Sequence, residues 1–295
     1  MSVWVGGMVE QGVVNRYYLL PRWLIFSVRM MNLISTGLTL RVLEHLFYKP
    51  VRFESPDRES SFIKRSKKTV FQLNRLGVGI GVYRLEGNGE KVLLVHGWNG
   101  RASQFHGIAQ ACHDAGLDVT AIDLPGHGRS DDRPTALPEF VEAISEISAH
   151  HGPYDHIIGH SIGGIAVLNC PRHGLEFEKI VTISIPAIEV VTLFQNFIEM
   201  FGLPSEKYAG LMIDRASERF DARPGSFDPI NVSEGLASKV MIVHCNDDMD
   251  AQANESVLLS QAIDGSELVL TSGLGHRRIL RDEGVIRQIV DFLKA

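Results

Sequence analysis

From residue 69 onward the chain alternates short, near-continuous apolar runs with helix-length amphipathic stretches, and this rhythm leaves few folds open. The runs at 69–76, 79–85, 91–96, 117–123, 154–159, 179–185, 239–245 and 267–270 read as strands, with Asn88-Gly89 as a turn after the second. Helical patterns fill 102–115, 138–150, 162–170, 252–262 and 284–293. A strand such as Val92-Leu93-Leu94-Val95 has no polar face, so it must be covered on both sides. That requires a parallel sheet between two layers of helices.

One stretch breaks the rhythm. Between Pro186 and Lys239 lie about 50 residues without a core strand, carrying helical patterns at 190–201 and 205–219 and then the turn Arg223-Pro224-Gly225. The expectation is a helical cap over 187–238, inserted into an α/β core made of 69–186 and 239–295. The 295 residues, 44% of them apolar, suffice for one large domain with such an insertion.

Residues 1–68 form an arm and a linker. Within 19–48 the composition is rich in Leu, Ile, Phe, Met and Trp, but Arg22, Arg29, Arg41 and Glu44 interrupt it. The longest uncharged run, 30–40, is too short to span a bilayer. Arg29, Asn32, Thr36 and Thr39 fall on one stripe of an amphipathic helix. Such a helix would pack on the protein's own body or on a second subunit as a homodimer contact, or lie on a membrane surface. A polar stretch, 54–68, follows as the linker.

Glu10 falls where a secretory leader needs an apolar core, so no leader is expected. Cys112, Cys170 and Cys245 are odd in number and widely spaced, which fits reduced, partly buried thiols better than disulfides or zinc. The expected location is cytoplasmic, with attachment to a membrane surface as the alternative that the arm leaves open. A net charge of −6 argues against a nucleic-acid partner.

The chemistry centres on Gly159-His160-Ser161-Ile162-Gly163, placed between a strand and a helix. A sharp turn there exposes the serine hydroxyl at the carboxyl edge of the sheet, and the helix start offers free N–H groups to a developing oxyanion. A serine needs a base. Of twelve histidines, His276 is the best placed, in a glycine-rich loop after the last strand. His160 should point away from the serine, His127 shapes a turn, His96 orders its loop, and His151, His156 and His173 read as surface residues. The base needs an acid, and Asn246-Asp247-Asp248-Met249-Asp250 supplies three carboxylates at a strand end. A metal site there lacks a second group of ligands, so no metal or cofactor is expected. The oxyanion donors are expected at Ile162 and, from His96-Gly97-Trp98-Asn99-Gly100, at Trp98.

The series His96-Gly97-Trp98, Asp123-Leu124-Pro125-Gly126-His127-Gly128-Arg129-Ser130, Gly159 to Gly164, the Asp248 loop and Gly275-His276 resembles the motifs of the α/β-hydrolase superfamily, in its order and over residues 70–295. The resemblance implies an eight-stranded, mostly parallel sheet with a helical cap between the sixth and seventh strands. It implies Ser161 as nucleophile, His276 as base, and Trp98 and Ile162 as oxyanion donors. It selects Asp248 as the acid, because His244-Cys245-Asn246-Asp247-Asp248 matches the family pattern His-Gly-x-x-Asp, with Cys245 in place of Gly. A serine at the nucleophile position disfavours the branches that use Asp there. The arm lies outside this resemblance.

The expected activity is hydrolysis of a small-molecule carboxylic ester or thioester through an acyl-enzyme. Phe194, Phe197, Met200, Phe201, Leu203 and Met212 of the insertion suggest a substrate with an apolar group. A carbon–carbon bond hydrolase using the same triad and a non-catalytic binding protein on the same fold are the competing readings.

Overall fold

The computed structural model describes residues 20–233 and 235–295; Leu19 and Glu10, on which parts of the arm and leader expectations rest, lie outside them. The chain opens with α1 (Arg22–Ile34), α2 (Thr36–Tyr48) and α3 (Ser60–Arg65). It continues through β1 (Lys67–Leu73), β2 (Val78–Leu85), β3 (Lys91–Val95), α4 (His106–Asp114), β4 (Asp118–Ile122), α5 (Leu137–His151), β5 (His156–His160), α6 (Ile162–Asn169) and β6 (Lys179–Ile183). The insertion holds α7 (Val190–Glu199), α8 (Ser205–Phe220) and α9 (Pro229–Ser233). Then come β7 (Lys239–Cys245), α10 (Ala253–Ala262), β8 (Glu267–Thr271), α11 (Gly275–Arg278) and α12 (Glu283–Lys294).

The eight strands form one sheet in the order β1-β2-β4-β3-β5-β6-β7-β8. β2 pairs antiparallel with both β1 and β4, and every other pair is parallel. This is the eight-stranded, mostly parallel sheet of the α/β-hydrolase fold that the motif series implies. The run 92–95 shows why β3 has no polar face. Leu93 and Val95 enter the cluster beneath α5 and α6, with Phe140, Ile144 and Ile165. Val92 and Leu94 enter the cluster beneath α4 and α12, with Phe105, Ile108 and Ile289. Alternate side chains thus feed opposite core layers.

A third apolar cluster lies outside the sheet sandwich. Val28, Leu40 and Leu43 of the arm pack with Phe194, Phe197, Phe201, Tyr208 and Met212 of the insertion. The arm is two helices, broken at Ser35, whose extended backbone and side-chain cap on the Leu38 N–H start α2. The polar stripe points inward. Arg29 Nε donates to the Phe201 carbonyl at 2.6 Å, Asn32 bonds the Tyr208 hydroxyl, Lys207 Nζ reaches Thr36 Oγ1 at 3.3 Å, and Thr39 is buried. The polar stripe is therefore turned inward beside Val28, Leu40 and Leu43, while a second apolar set, including Trp23, Phe26, Leu33 and Ile34, is left toward solvent.

The charged stretch 54–68 sits on the core. Glu59 is buried and receives two bonds of 2.7 Å from Arg101 and one of 2.6 Å from Ser103 Oγ, while Phe62 enters the cluster beneath α4. The three cysteines are free and buried. No helix among the described residues is long and apolar enough to cross a membrane.

Candidate functional site

Parallel strands gather their carboxyl ends at one edge of the sheet, and ligands of such sheets bind there. Ser161 follows β5 at that edge with φ 55° and ψ −129°, a left-handed-side backbone that a residue with a Cβ adopts only under constraint. The Ser161 N–H bonded to the Ile183 carbonyl at 2.9 Å, and the Ser161 carbonyl accepting from Gly164 N–H at 2.8 Å, supply that constraint. Close approach demands glycine at two positions. A Cβ at Gly97 would lie 2.7 Å from Ser161 Cβ, and one at Gly163 would lie 2.4 Å from the His96 carbonyl oxygen. Ile162 opens α6, so its N–H has no intrahelical partner and stands at the positive end of the helix dipole.

His276 and Asp248 meet. His276 Nδ1 lies 2.8 Å from Asp248 Oδ2, and both side chains are buried. Asp248 Oδ1 accepts the N–H groups of Asp250 at 2.8 Å and Ala251 at 3.0 Å. Burial pushes the Asp248 carboxyl up, but the hydrogen bond and charge of His276 and the two amides outweigh it and hold the group below the ordinary carboxylate range. It therefore stays ionised and orients the Nδ1–H of His276. The neighbouring aspartates separate by environment. Asp247 is exposed and caps the Gly273 N–H, and half-buried Asp250 faces the cavity described below.

The other sequence-selected histidines support this pair. His160 Nε2 bonds the His276 carbonyl at 2.8 Å and its ring lies 4.7 Å from the His276 ring, so it braces the segment that carries His276. Burial, then the neighbouring His276, pushes His160 down to about 3, and burial pushes His127 down to about 4. Both rings are neutral packing elements. His96 Nε2 accepts the Leu124 N–H at 3.0 Å and orders its loop. His156 departs from the surface role expected for it: it is fully buried, with Glu90 3.3 Å from its Nε2. It starts β5, so its imidazole must fill the space between helix layers rather than face water. Glu90, His156 and Glu178 gather there, at the opposite end of β5 from Ser161.

Cys245, the departure from the family pattern, has a local reason. Its buried sulfur accepts the N–H groups of Leu274 at 3.3 Å and Gly275 at 3.0 Å, holding the loop that carries His276.

Ser161 opens on a cavity of about 350 Å³, also lined by Trp98 and Ile162, within the size range of small-ligand sites. Its walls are overwhelmingly apolar: Leu137, Ile188, Leu193, Phe194, Phe197, Met200 and Phe227 among them. Of the insertion residues proposed from sequence, Phe194, Phe197 and Met200 line it, whereas Phe201, Leu203 and Met212 bind the insertion to the arm. Two lining groups escaped the sequence reading. Phe47 and Tyr48 come from α2, whose end is stitched to the site loops: Thr135 N–H bonds the Tyr48 carbonyl at 2.7 Å and Val51 N–H bonds Asn99 Oδ1 at 2.7 Å. Glu255 of α10 brings a carboxylate into a mostly apolar wall that Asp250 also reaches, and burial pushes it up to about 7. An arm outside any motif series, and one Glu in a helix, carry no signal of this in sequence.

Comparison with known proteins agrees with this fold. A model of the family described as "Alpha/beta hydrolase family" matches residues 92–288. The chain is 32% identical over 105 residues, 35% of its length, to a pimeloyl-[acyl-carrier protein] methyl ester esterase of Vibrio cholerae, and 36% identical over 81 residues, 25% of its length, to a monoacylglycerol lipase of Mycolicibacterium smegmatis. The matches span 39% and 29% of those relatives, well under half of each. Among solved structures, a putative lipase from Acinetobacter baumannii aligns with a TM-score of 0.60 at 18% identity, over 82% of this chain and 97% of that one. An esterase from Exiguobacterium antarcticum aligns with a TM-score of 0.60 at 18% identity, over 78% of this chain and 100% of that one. At these identities the structural likeness speaks to the fold.

Proposed function

This chain belongs to the alpha/beta hydrolase family, and from that premise we propose that it is a serine hydrolase that cleaves a carboxylic ester or a thioester through an acyl-enzyme on Ser161. The observation that carries the reading is the His276–Asp248 contact of 2.8 Å, joined through His160 to the strained turn that holds Ser161, beside an apolar cavity. The two relatives named above act, by their names, on a methyl ester and a monoacylglycerol, which favours an ester.

His276 takes the Ser161 hydroxyl proton as Oγ bonds to the substrate carbonyl carbon, and the N–H groups of Ile162 and Trp98 receive the oxyanion. Collapse breaks the bond to the alcohol or thiol, which leaves with the proton from His276. Water then gives a proton to His276 while its oxygen bonds the acyl carbon, and the acid leaves as Ser161 regains its proton. Asp248 stays ionised throughout and fixes the tautomer of His276. The cavity takes the apolar acyl or alkyl group. In this reading 69–186 and 239–295 are the catalytic core, 187–238 the cap, and 1–68 an arm that completes the pocket wall and presents an outer surface for a membrane or a second subunit.

Ser161→Ala is expected to lower kcat on p-nitrophenyl butyrate by on the order of 10⁴-fold or more, to abolish labelling by a fluorophosphonate probe, and to leave the melting temperature near wild type. A variant that turns the ester over at the wild-type rate would overturn the assignment.

A further inference from the structure

The outer face of α1 is an apolar feature that the proposed chemistry leaves unused. Trp23 is 69% exposed, Phe26 64%, Leu33 76% and Ile34 83%, with Met30 and Leu38 also open to solvent. Positions 23, 26, 30, 33 and 34 follow helical spacing, so they make one continuous stripe along a 13-residue helix. Scattered apolar residues on a surface need no explanation, but a contiguous stripe does. The inner face is already satisfied: Val28 is 1% exposed, and Arg29 and Asn32 are bonded to the insertion. No other described element covers the stripe.

Charge selects the occupant. From Leu20 to Leu43 the chain carries Arg22, Arg29 and Arg41 and no Asp or Glu; Arg29 is bound to the Phe201 carbonyl, and Arg22 and Arg41 are exposed, on a protein whose net charge is −6. In a two-fold pairing of this face with itself, the arginine-only surfaces would oppose each other. An anionic lipid surface reverses that sign and attracts the exposed arginines, while Trp, Phe, Leu and Ile enter the boundary between headgroups and acyl chains. We propose that the exposed face of α1, centred on Trp23, Phe26, Leu33 and Ile34, docks this protein on the surface of an anionic membrane.

The same arm walls the cavity through Phe47, so docking would hold the apolar cavity beside a reservoir of acyl chains. That last link rests on the hydrolase reading; the docking does not.

The test uses the full chain with vesicles of phosphatidylcholine alone and of phosphatidylcholine mixed with phosphatidylglycerol. Wild type is expected to sediment with the mixed vesicles, more weakly with phosphatidylcholine alone, and to be released by salt. The variant Trp23→Gln/Phe26→Ser/Leu33→Ser/Ile34→Ser is expected to lose vesicle binding by more than about tenfold, with unchanged melting and unchanged hydrolysis of p-nitrophenyl butyrate. Arg22→Gln/Arg41→Gln is expected to lose the preference for anionic lipid. No sedimentation of wild type, or equal sedimentation of the four-site variant, overturns the proposal. So does a wild type of twice the monomer mass whose four-site variant is monomeric, because the face would then be an interface between copies. Failure of Ser161→Ala to lose activity would strike the hydrolase reading and leave the vesicle result intact.

Discussion

At the scale of single residues, Glu255 is the group whose setting is least like its surroundings. Burial in an apolar wall raises its carboxyl to about 7 from an ordinary value of 4.5, although the Ala187 and Gln252 amides work in the other direction. The folded protein thus keeps a proton that the unfolded chain has released, so stability falls as pH rises from 4.5 to about 7 and stays reduced above it. Glu255→Gln retains an acceptor for the two amides and removes the charge. It is expected to stabilise the protein by about 1–2 kcal/mol at pH 8, after allowance for partial solvent screening, and by much less at pH 5. Thermal unfolding of both proteins at the two pH values measures this, and an equal gain at both would show that the charge is not the cause. The strained turn at Ser161 and the contact of His276 with Asp248 were legible in sequence because each residue sits in a short motif. Glu255 was not, because its setting is created by side chains from distant segments.

At the scale of elements, the strands of the sheet were nearly all readable, since the central ones, β3 to β7, are short, mostly apolar runs buried between two core layers, whereas the edge strands β1 and β8 are largely open to solvent. The boundaries moved by a few residues where a turn took over, as at 102–105, a 3-10 turn ahead of α4. The arm was read as one amphipathic segment, and its orientation could not be inferred. A helix with a polar stripe ordinarily shows it to water; here Phe201, Tyr208 and Lys207 supply partners that draw it inward. α2 then does more than pack. Phe47 stacks on Phe194 at 4.7 Å between ring centroids and meets Phe197 edge-on at 5.1 Å, closing one side of the cavity. Phe47→Ala removes that wall. The ratio of kcat/KM for p-nitrophenyl decanoate to that for the butyrate is expected to rise about fivefold, and an unmoved ratio would place the acyl group elsewhere.

At the scale of the whole molecule, the arm and the core are joined by a buried ion pair. Arg101 grips Glu59 with two bonds of 2.7 Å, and both side chains are almost wholly buried. Removing one partner strands the other without compensation, so Arg101→Met is expected to cost about 3 kcal/mol in urea unfolding. Adding Glu59→Leu should recover most of that loss, because the desolvated charge disappears with its partner. If the two losses instead add, the pair does not act as a unit.

The partnership between α1–α2 and α7–α8 also sets an order of events during synthesis. The arm leaves the ribosome before the helices that bury its inner face, which begin at Val190. At a chain growth of about 5–20 residues per second, α2 waits roughly 7–30 seconds for them. During that interval both faces of the arm are open, which makes the nascent chain a client for chaperones that hold apolar helices, and fusing a bulky domain ahead of the arm would act on its folding yield before it touched its catalysis.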